Sequence, residues 1–232
     1  MADRIYGRNP VREALRGRRR VREVLVTERA AAGVGWLAGA PVRIAGGDEV
    51  AALAGSDDHQ GFAAEVDPYP YADADELAVR DRPLIVALDE ISDPHNLGAI
   101  ARSALCAGAD GLVVPRHRSA TVTAAVCRAS AGAVEHLAIA VVPNLADWIV
   151  RSRRSGLWSF ASDAEAGERH VDADLADGAI LVIGSEGRGV RPRVRSVCDA
   201  AVRIPIQGPV GSLNASVAAA VLLFEARRQR GF

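Results

Sequence analysis

The chain has no lysine: all 28 of its Lys and Arg positions are arginine. Every fixed positive side-chain charge is therefore a guanidinium, suited to bidentate phosphate contacts and to stacking on bases, and no Walker GxxxxGK loop can be written. Genomic composition bias also accounts for so complete a replacement. Cysteine is scarce as well. Cys106, Cys127 and Cys198 are an odd number at wide spacings, which excludes a disulfide framework and a CxxC metal site and leaves them as small core residues. No metal is expected. No apolar run reaches about 18 uninterrupted residues, and no charged-then-apolar leader opens the sequence. A membrane span and a signal peptide are thus not indicated, and a cytoplasmic location is expected.

What is present is enough for a real core, with 49% apolar residues in a chain of 232. The net charge of -1 conceals an uneven distribution. Nine arginines face four acids between Asp3 and Arg29, whereas ten acids face two arginines between Asp48 and Arg82. The cluster Arg16-Gly-Arg-Arg-Arg20 stands out in the basic stretch, as a solvated loop or as a phosphate-contacting one.

Residues 1–66 read as a compact α/β module: helix Asn9–Leu15 with Pro10 in its first turn, strand Val21–Val26, a short helix near Val34–Leu37, strand Val42–Ile44, helix Asp48–Leu53 and strand Phe62–Val66. Residues 67–82 carry Pro68, Pro70 and five acids with little periodicity, and read as an acidic linker. From 83 to 232, strands and helices alternate. Strands are expected at Leu84–Leu88, Gly111–Val114, Leu137–Val142, Leu157–Ala161, Ala179–Ile183 and Ala201–Ile206. Helices are expected at Leu97–Ala107, Ala120–Ala131, Leu145–Arg153, near Arg193–Val197, and at the end of the chain. Continuous apolar strands alternating with helices imply an α/β fold built on a mostly parallel sheet, with ligands beyond the carboxyl ends of its strands.

Three loops lie at such ends. The first leads into Asn96-Leu-Gly-Ala-Ile-Ala-Arg102, with Asn96 a natural N-cap. Arg102, on an otherwise apolar helix, either snorkels to solvent or reaches an anion. His95 is a candidate base or a structural loop residue. The second, Gly184-Ser-Glu-Gly-Arg-Gly189, follows a strand and admits close backbone approach to a ligand. Its glycine spacing is not that of a dinucleotide-binding GxGxxG, and Glu186 could hold a ribose or an Arg. The third, Ile204-Pro-Ile-Gln-Gly-Pro-Val-Gly-Ser-Leu-Asn214, is broken by Pro and Gly before a closing helix that Ser212 is expected to cap.

In this order the three segments resemble the SpoU branch of the SPOUT methyltransferases, RNA ribose 2′-O-methyltransferases that use S-adenosylmethionine. The resemblance extends to Tyr6-Gly-Arg-Asn-Pro-Val-Arg-Glu-Ala-Leu15 and His59-Gln-Gly-Phe62, which are similar to the family's amino-terminal substrate-binding domain. Pro115-Arg-His-Arg-Ser-Ala120 and Ser130-Ala-Gly-Ala-Val-Glu135 are most similar to the subgroup acting on the guanosine of the 23S rRNA P-loop. The resemblance implies a carboxyl-terminal trefoil knot and a homodimer with its active site completed across the interface. It also implies a cofactor held against Gly184, Ile204, Ile206 and Leu213, Ile206 standing where the family often has Met or Leu. It gives Arg102 the activating role, which for a side chain that stays protonated means clamping a phosphate and stabilising a developing alkoxide. Glu186 would orient Arg102 or the ribose, and Asn96, Ser212 and Asn214 would fix the loops and the nucleotide. Arg8, Arg18, Arg19 and Arg20 would contact RNA phosphates. A tRNA-modifying relative and a non-catalytic RNA-binding or assembly protein of the same fold are the alternatives.

Overall fold

A computed structural model describes residues 2–231. Its backbone contacts divide it into two units: residues up to Pro70 with Thr121–His136, and Tyr71–Ala120 with Leu137 onward. In the first unit β1 (Asp3–Tyr6), α1 (Arg8–Arg16), β2 (Val21–Val26), α2 (Glu28–Ala31), β3 (Val42–Ile44), α3 (Gly47–Ala54) and β4 (Phe62–Val66) follow one another. The strands lie in the order β1-β4-β2-β3, parallel only between β2 and β3. Leu25, Val50 and Ala63 are buried together beneath this small sheet.

Arg19, expected on the RNA-binding surface, is 5% exposed. Its Nε donates to Glu135 Oε2 at 2.9 Å, its Nη2 pairs with Glu135 Oε1, and its guanidinium lies 5.7 Å from the centre of the Tyr69 ring. Burial alone would lower its pKa, but the hydrogen bonds and charge of Glu135 carry it above the ordinary value. Arg19 is therefore an internal ion-pair partner and not a phosphate contact. Arg8, Arg18 and Arg20 remain exposed, Arg18 donating to the Tyr69 hydroxyl at 3.2 Å.

The stretch read as a linker is folded. Ala72 N–H donates to the Ile139 carbonyl at 2.9 Å. α4 (Ala74–Ala78) follows, capped by the Asp73 carboxylate, and buries Leu77 in the core of the second unit. One of the acids of this segment is thus a helix cap, and the segment is not a free tether.

The remaining elements are β5 (Leu84–Asp89), α5 (Pro94–Ala107), β6 (Gly111–Pro115), α6 (Ala124–Ala129), β7 (Ala138–Val142), α7 (Leu145–Ser152), β8 (Trp158–Ser162), β9 (Glu168–Arg169), β10 (Ala179–Gly184), α8 (Pro192–Val197), β11 (Ala200–Arg203) and α9 (Ala215–Gln229). Of these, α6 groups with the first unit, so the expected partition at residue 83 does not hold for Thr121–His136. α6 is also shorter than expected, stopped by Ala131 and Gly132 at positive φ. The seven strands of the second unit pair in the order β7-β6-β5-β10-β8-β11-β9, every pair parallel. β5 and β10 are buried at every residue, as central strands covered on both faces must be. β6 and β7 run outward from β5 on one side and β10 lies on the other, so the chain reverses its direction of winding between β5 and β10. Such a switch point opens a crevice at the carboxyl ends of the strands. β11 ends at Arg203 because Pro205 has no N–H to continue the ladder.

Candidate active site

Three segments converge at the carboxyl ends of β5 and β10. α5 begins two residues before Asn96, since Asp93 accepts the His95 N–H at 3.0 Å and Pro94 fills the first turn. Asn96 is therefore not the cap, and its side chain is released for other contacts. The same correction applies to α9: Asn214, not Ser212, caps it, accepting from Ser216 N at 2.8 Å and Val217 N at 3.4 Å. With Asn214 Oδ1 committed to the cap, its Nδ2 faces the other way, which fixes the amide orientation.

Asn214 Nδ2 donates to Asn96 Oδ1 at 3.0 Å and to Glu186 Oε1, and Asn96 Nδ2 donates to the same Glu186 oxygen at 2.9 Å. One carboxylate on the glycine loop thus accepts from two amides 118 residues apart. Glu186 is exposed, so this closed triangle stands at the surface and leaves its second carboxylate oxygen available. Of the two partners expected for Glu186, Arg102 or the ribose, Arg102 is not in contact with it among the described residues. Arg102 is exposed on α5 and has no hydrogen bond or ion pair among the described residues. His95 is exposed and contributes its backbone N–H to the α5 cap.

Beside the triangle a cleft of about 440 Å³ opens along the glycine loop. Gly184, Ile204, Ile206 and Leu213 all line it, as do Glu186 and Ser212. The loop is tight because of Gly184: a Cβ there would stand 1.9 Å from the Gly189 carbonyl carbon. The Gly189 N–H donates back to the Ser185 carbonyl at 2.9 Å, closing the turn. The opposite wall is Ser162–Glu165, which leaves the end of β8, together with Arg195, whose Nε donates to Asp163 at 3.1 Å. These residues were not anticipated. Their one signal was position, a polar run at a strand's carboxyl end.

Of the three cysteines, Cys127 is fully buried beside Arg19 and Glu135, and burial, reinforced by the Glu135 charge, pushes its thiol up to about 12. Burial likewise raises Cys198 to about 11. Cys106 is exposed, contrary to its expected place in the core.

A parallel α/β unit with a glycine-loop cleft and a polar triangle at its strand ends defines a ligand-binding protein of the switch-point type. The chain belongs to the SpoU rRNA methylase family: that family's model matches residues 83–224, and a model for RNA 2′-O ribose methyltransferase substrate binding matches residues 4–72. An uncharacterized tRNA/rRNA methyltransferase of Synechocystis is 37% identical over 243 residues, covering 99% of this chain and 63% of the relative. A tRNA/rRNA methyltransferase of Mycobacterium ulcerans, also uncharacterized, is 47% identical over 180 residues, covering 74% of this chain and 57% of the relative. The chain therefore spans about six-tenths of the length of these two relatives. The crystal structure of the SpoU methyltransferase AviRb from Streptomyces viridochromogenes, in complex with AdoMet, superposes with a TM-score of 0.84 at 29% identity, covering 99% of this chain and 90% of AviRb.

Proposed function

We propose that the protein transfers a methyl group from S-adenosylmethionine to a ribose 2′-oxygen of rRNA, the 23S P-loop guanosine being the favoured target. The observation that carries this reading is the Asn96–Glu186–Asn214 triangle set on the same glycine loop as the cleft. The cleft fits a nucleoside-sized molecule: its volume lies in the range of small-ligand pockets, Ile204, Ile206 and Leu213 offer an aliphatic face, and the Gly184 turn presents backbone groups. AviRb, similar across nearly the whole chain, was solved with AdoMet bound, which supports the same ligand here. We read residues 204–214 as the family's knotted segment.

Bound in the cleft, S-adenosylmethionine would supply an electrophilic methyl group. The protein's own task is to align the ribose and help its hydroxyl lose a proton. Glu186, held by two amides, orients the ribose hydroxyl. Ser212 and Asn214 fix the third loop. Arg102 clamps the adjoining phosphate and stabilises negative charge developing on the 2′-oxygen. We read the site as completed by a second copy of the chain, as the resemblance implies. Val217 and Phe224, seven positions apart on one face of α9 and 47% and 49% exposed, offer an apolar surface for that copy. Arg8, Arg18 and Arg20 supply phosphate contacts from the first unit.

Labelled methyl transfer to unmodified 23S rRNA, mapped at nucleotide resolution, tests the reading. A single 2′-O-methylguanosine in the P-loop is the expected product. Methylation of tRNA instead would retain the chemistry and discard the substrate, and methylation of neither RNA would leave a non-catalytic binding protein.

A further inference from the structure

Asp89 is the last residue of β5 and is registered against Gly184, the last residue of β10. Beyond this pair the two strands part, β5 toward α5 with Asn96 and β10 into the glycine loop with Glu186. Asp89 is completely buried. Its carboxylate reaches past the loop to the second residue after it: Oδ2 accepts the Arg191 backbone N–H at 2.8 Å, and Oδ1 accepts Arg191 Nε at 2.9 Å and Nη2 at 2.6 Å. Glu90, turned to a φ of 60°, places its own carboxylate 3.2 Å from Arg191 Nη1. One guanidinium is thus gripped by two consecutive carboxylates.

The loop is six residues long and is held at both ends by β5. At its start, Gly184 is held by the sheet. Two residues past its end, Arg191 is held by Asp89. Between them Val190 and Gly189 fold back onto the Gly184 Cα, in the space a side chain would fill. The exposed tip carrying Glu186 is held by the Asn96 and Asn214 amides and by its own turn, and the two ends set where that tip stands. A buried carboxylate is costly unless it is paired. That cost favours the closed loop, because opening it would strand Asp89.

We infer that Asp89 is a positioning residue that, through Arg191, fixes the Gly184–Gly189 loop and with it Glu186 and one wall of the cofactor cleft. The inference rests on the reading of that cleft as the S-adenosylmethionine site. Two variants test it. Asp89→Asn keeps the shape and removes the charge, whereas Arg191→Lys keeps a positive charge and the backbone hydrogen bond but loses the two-point grip.

Hydrogen exchange of the peptide spanning the loop, measured on the full chain without cofactor, should be at least tenfold faster in both variants, with the β5 and β10 peptides unchanged. Calorimetric titration with S-adenosylhomocysteine should show Kd raised about fivefold or more, with the Kd for RNA unchanged. Loop exchange equal to wild type, or faster exchange with unaltered S-adenosylhomocysteine affinity, overturns the inference. If Asp89→Asn fails to fold, Arg191→Lys alone decides, since its side chain is partly exposed and its replacement keeps the charge. A wild-type chain that does not bind S-adenosylhomocysteine overturns the cofactor reading itself, while the exchange arm still decides whether Asp89 holds the loop.

Discussion

Asn214 and Asn96 meet amide to amide, Nδ2 to Oδ1 at 3.0 Å, while the other end of Asn214 caps α9. The two functions of Asn214 can be separated by substitution. Asp caps a helix as well as Asn does, so Asn214→Asp should leave Tm within about 2 °C of wild type. It also sets a second carboxylate against Glu186, and methyl transfer should fall at least about tenfold, or ~1.4 kcal/mol in the barrier. Thermal unfolding and single-turnover transfer on the same sample check both. A fully active Asn214→Asp would remove the triangle from the reaction.

The arginine cluster splits into one structural member, Arg19, and three surface members, of which Arg18 and Arg20 are the proposed phosphate contacts. Replacing Arg18 and Arg20 by Ala should weaken RNA binding and reduce its salt slope by about 1.4, or ~0.7 per phosphate contact on a single strand, with little change in stability. Replacing Arg19 strands Glu135 in the interior and should cost about 3–5 kcal/mol. Salt-dependent binding titrations and denaturant unfolding distinguish the two outcomes.

Gly184→Ala puts a methyl carbon where Gly189 already stands. The contact is with backbone and cannot be relieved by a rotamer change. The expected cost is about 3 kcal/mol or more, accompanied by loss of cofactor binding. Calorimetry with S-adenosylhomocysteine and a melting curve read the two effects together.

The buried thiols set an alkaline limit on stability. Cys127 and Cys198 keep their protons in the folded state to about 12 and about 11, while in the unfolded chain a thiol ionises near 8.5. The folded state therefore binds more protons above that pH, and stability is intact below it and declines as pH rises toward the folded values. Each thiol should raise the unfolding constant by up to about tenfold per pH unit in that window. Denaturant unfolding from pH 8 to 10.5 should show the decline, less steep in Cys198→Ala. In the native state at pH 8, iodoacetamide should label Cys106 alone.

The central fold was legible because buried parallel strands are written as continuous apolar runs. Leu84–Leu88 and Ala179–Ile183 each came within a residue of the observed strand. The misses are short or charged. β1 alternates Arg4 with a single buried Ile5, and β9 has two exposed residues. The three site loops announced themselves through Gly, Pro and Asn, whereas Ser162–Glu165 carries no such punctuation. The burial of Arg19 could not be read locally at all, since its partner Glu135 lies 116 residues further on.

That separation also has a meaning in time. The first unit needs Glu135 to neutralise Arg19, and α6 to complete its packing. On a ribosome adding on the order of 10 residues per second, roughly ten seconds pass between the synthesis of the two partners. The amino-terminal unit therefore completes late: a fragment ending at Pro70 would lack Glu135 and α6, leaving Arg19 with Asp3, 3.5 Å away, as its carboxylate partner. The first unit is thus not a bead that folds before its neighbour, but one that closes only after the chain has begun the second unit and come back.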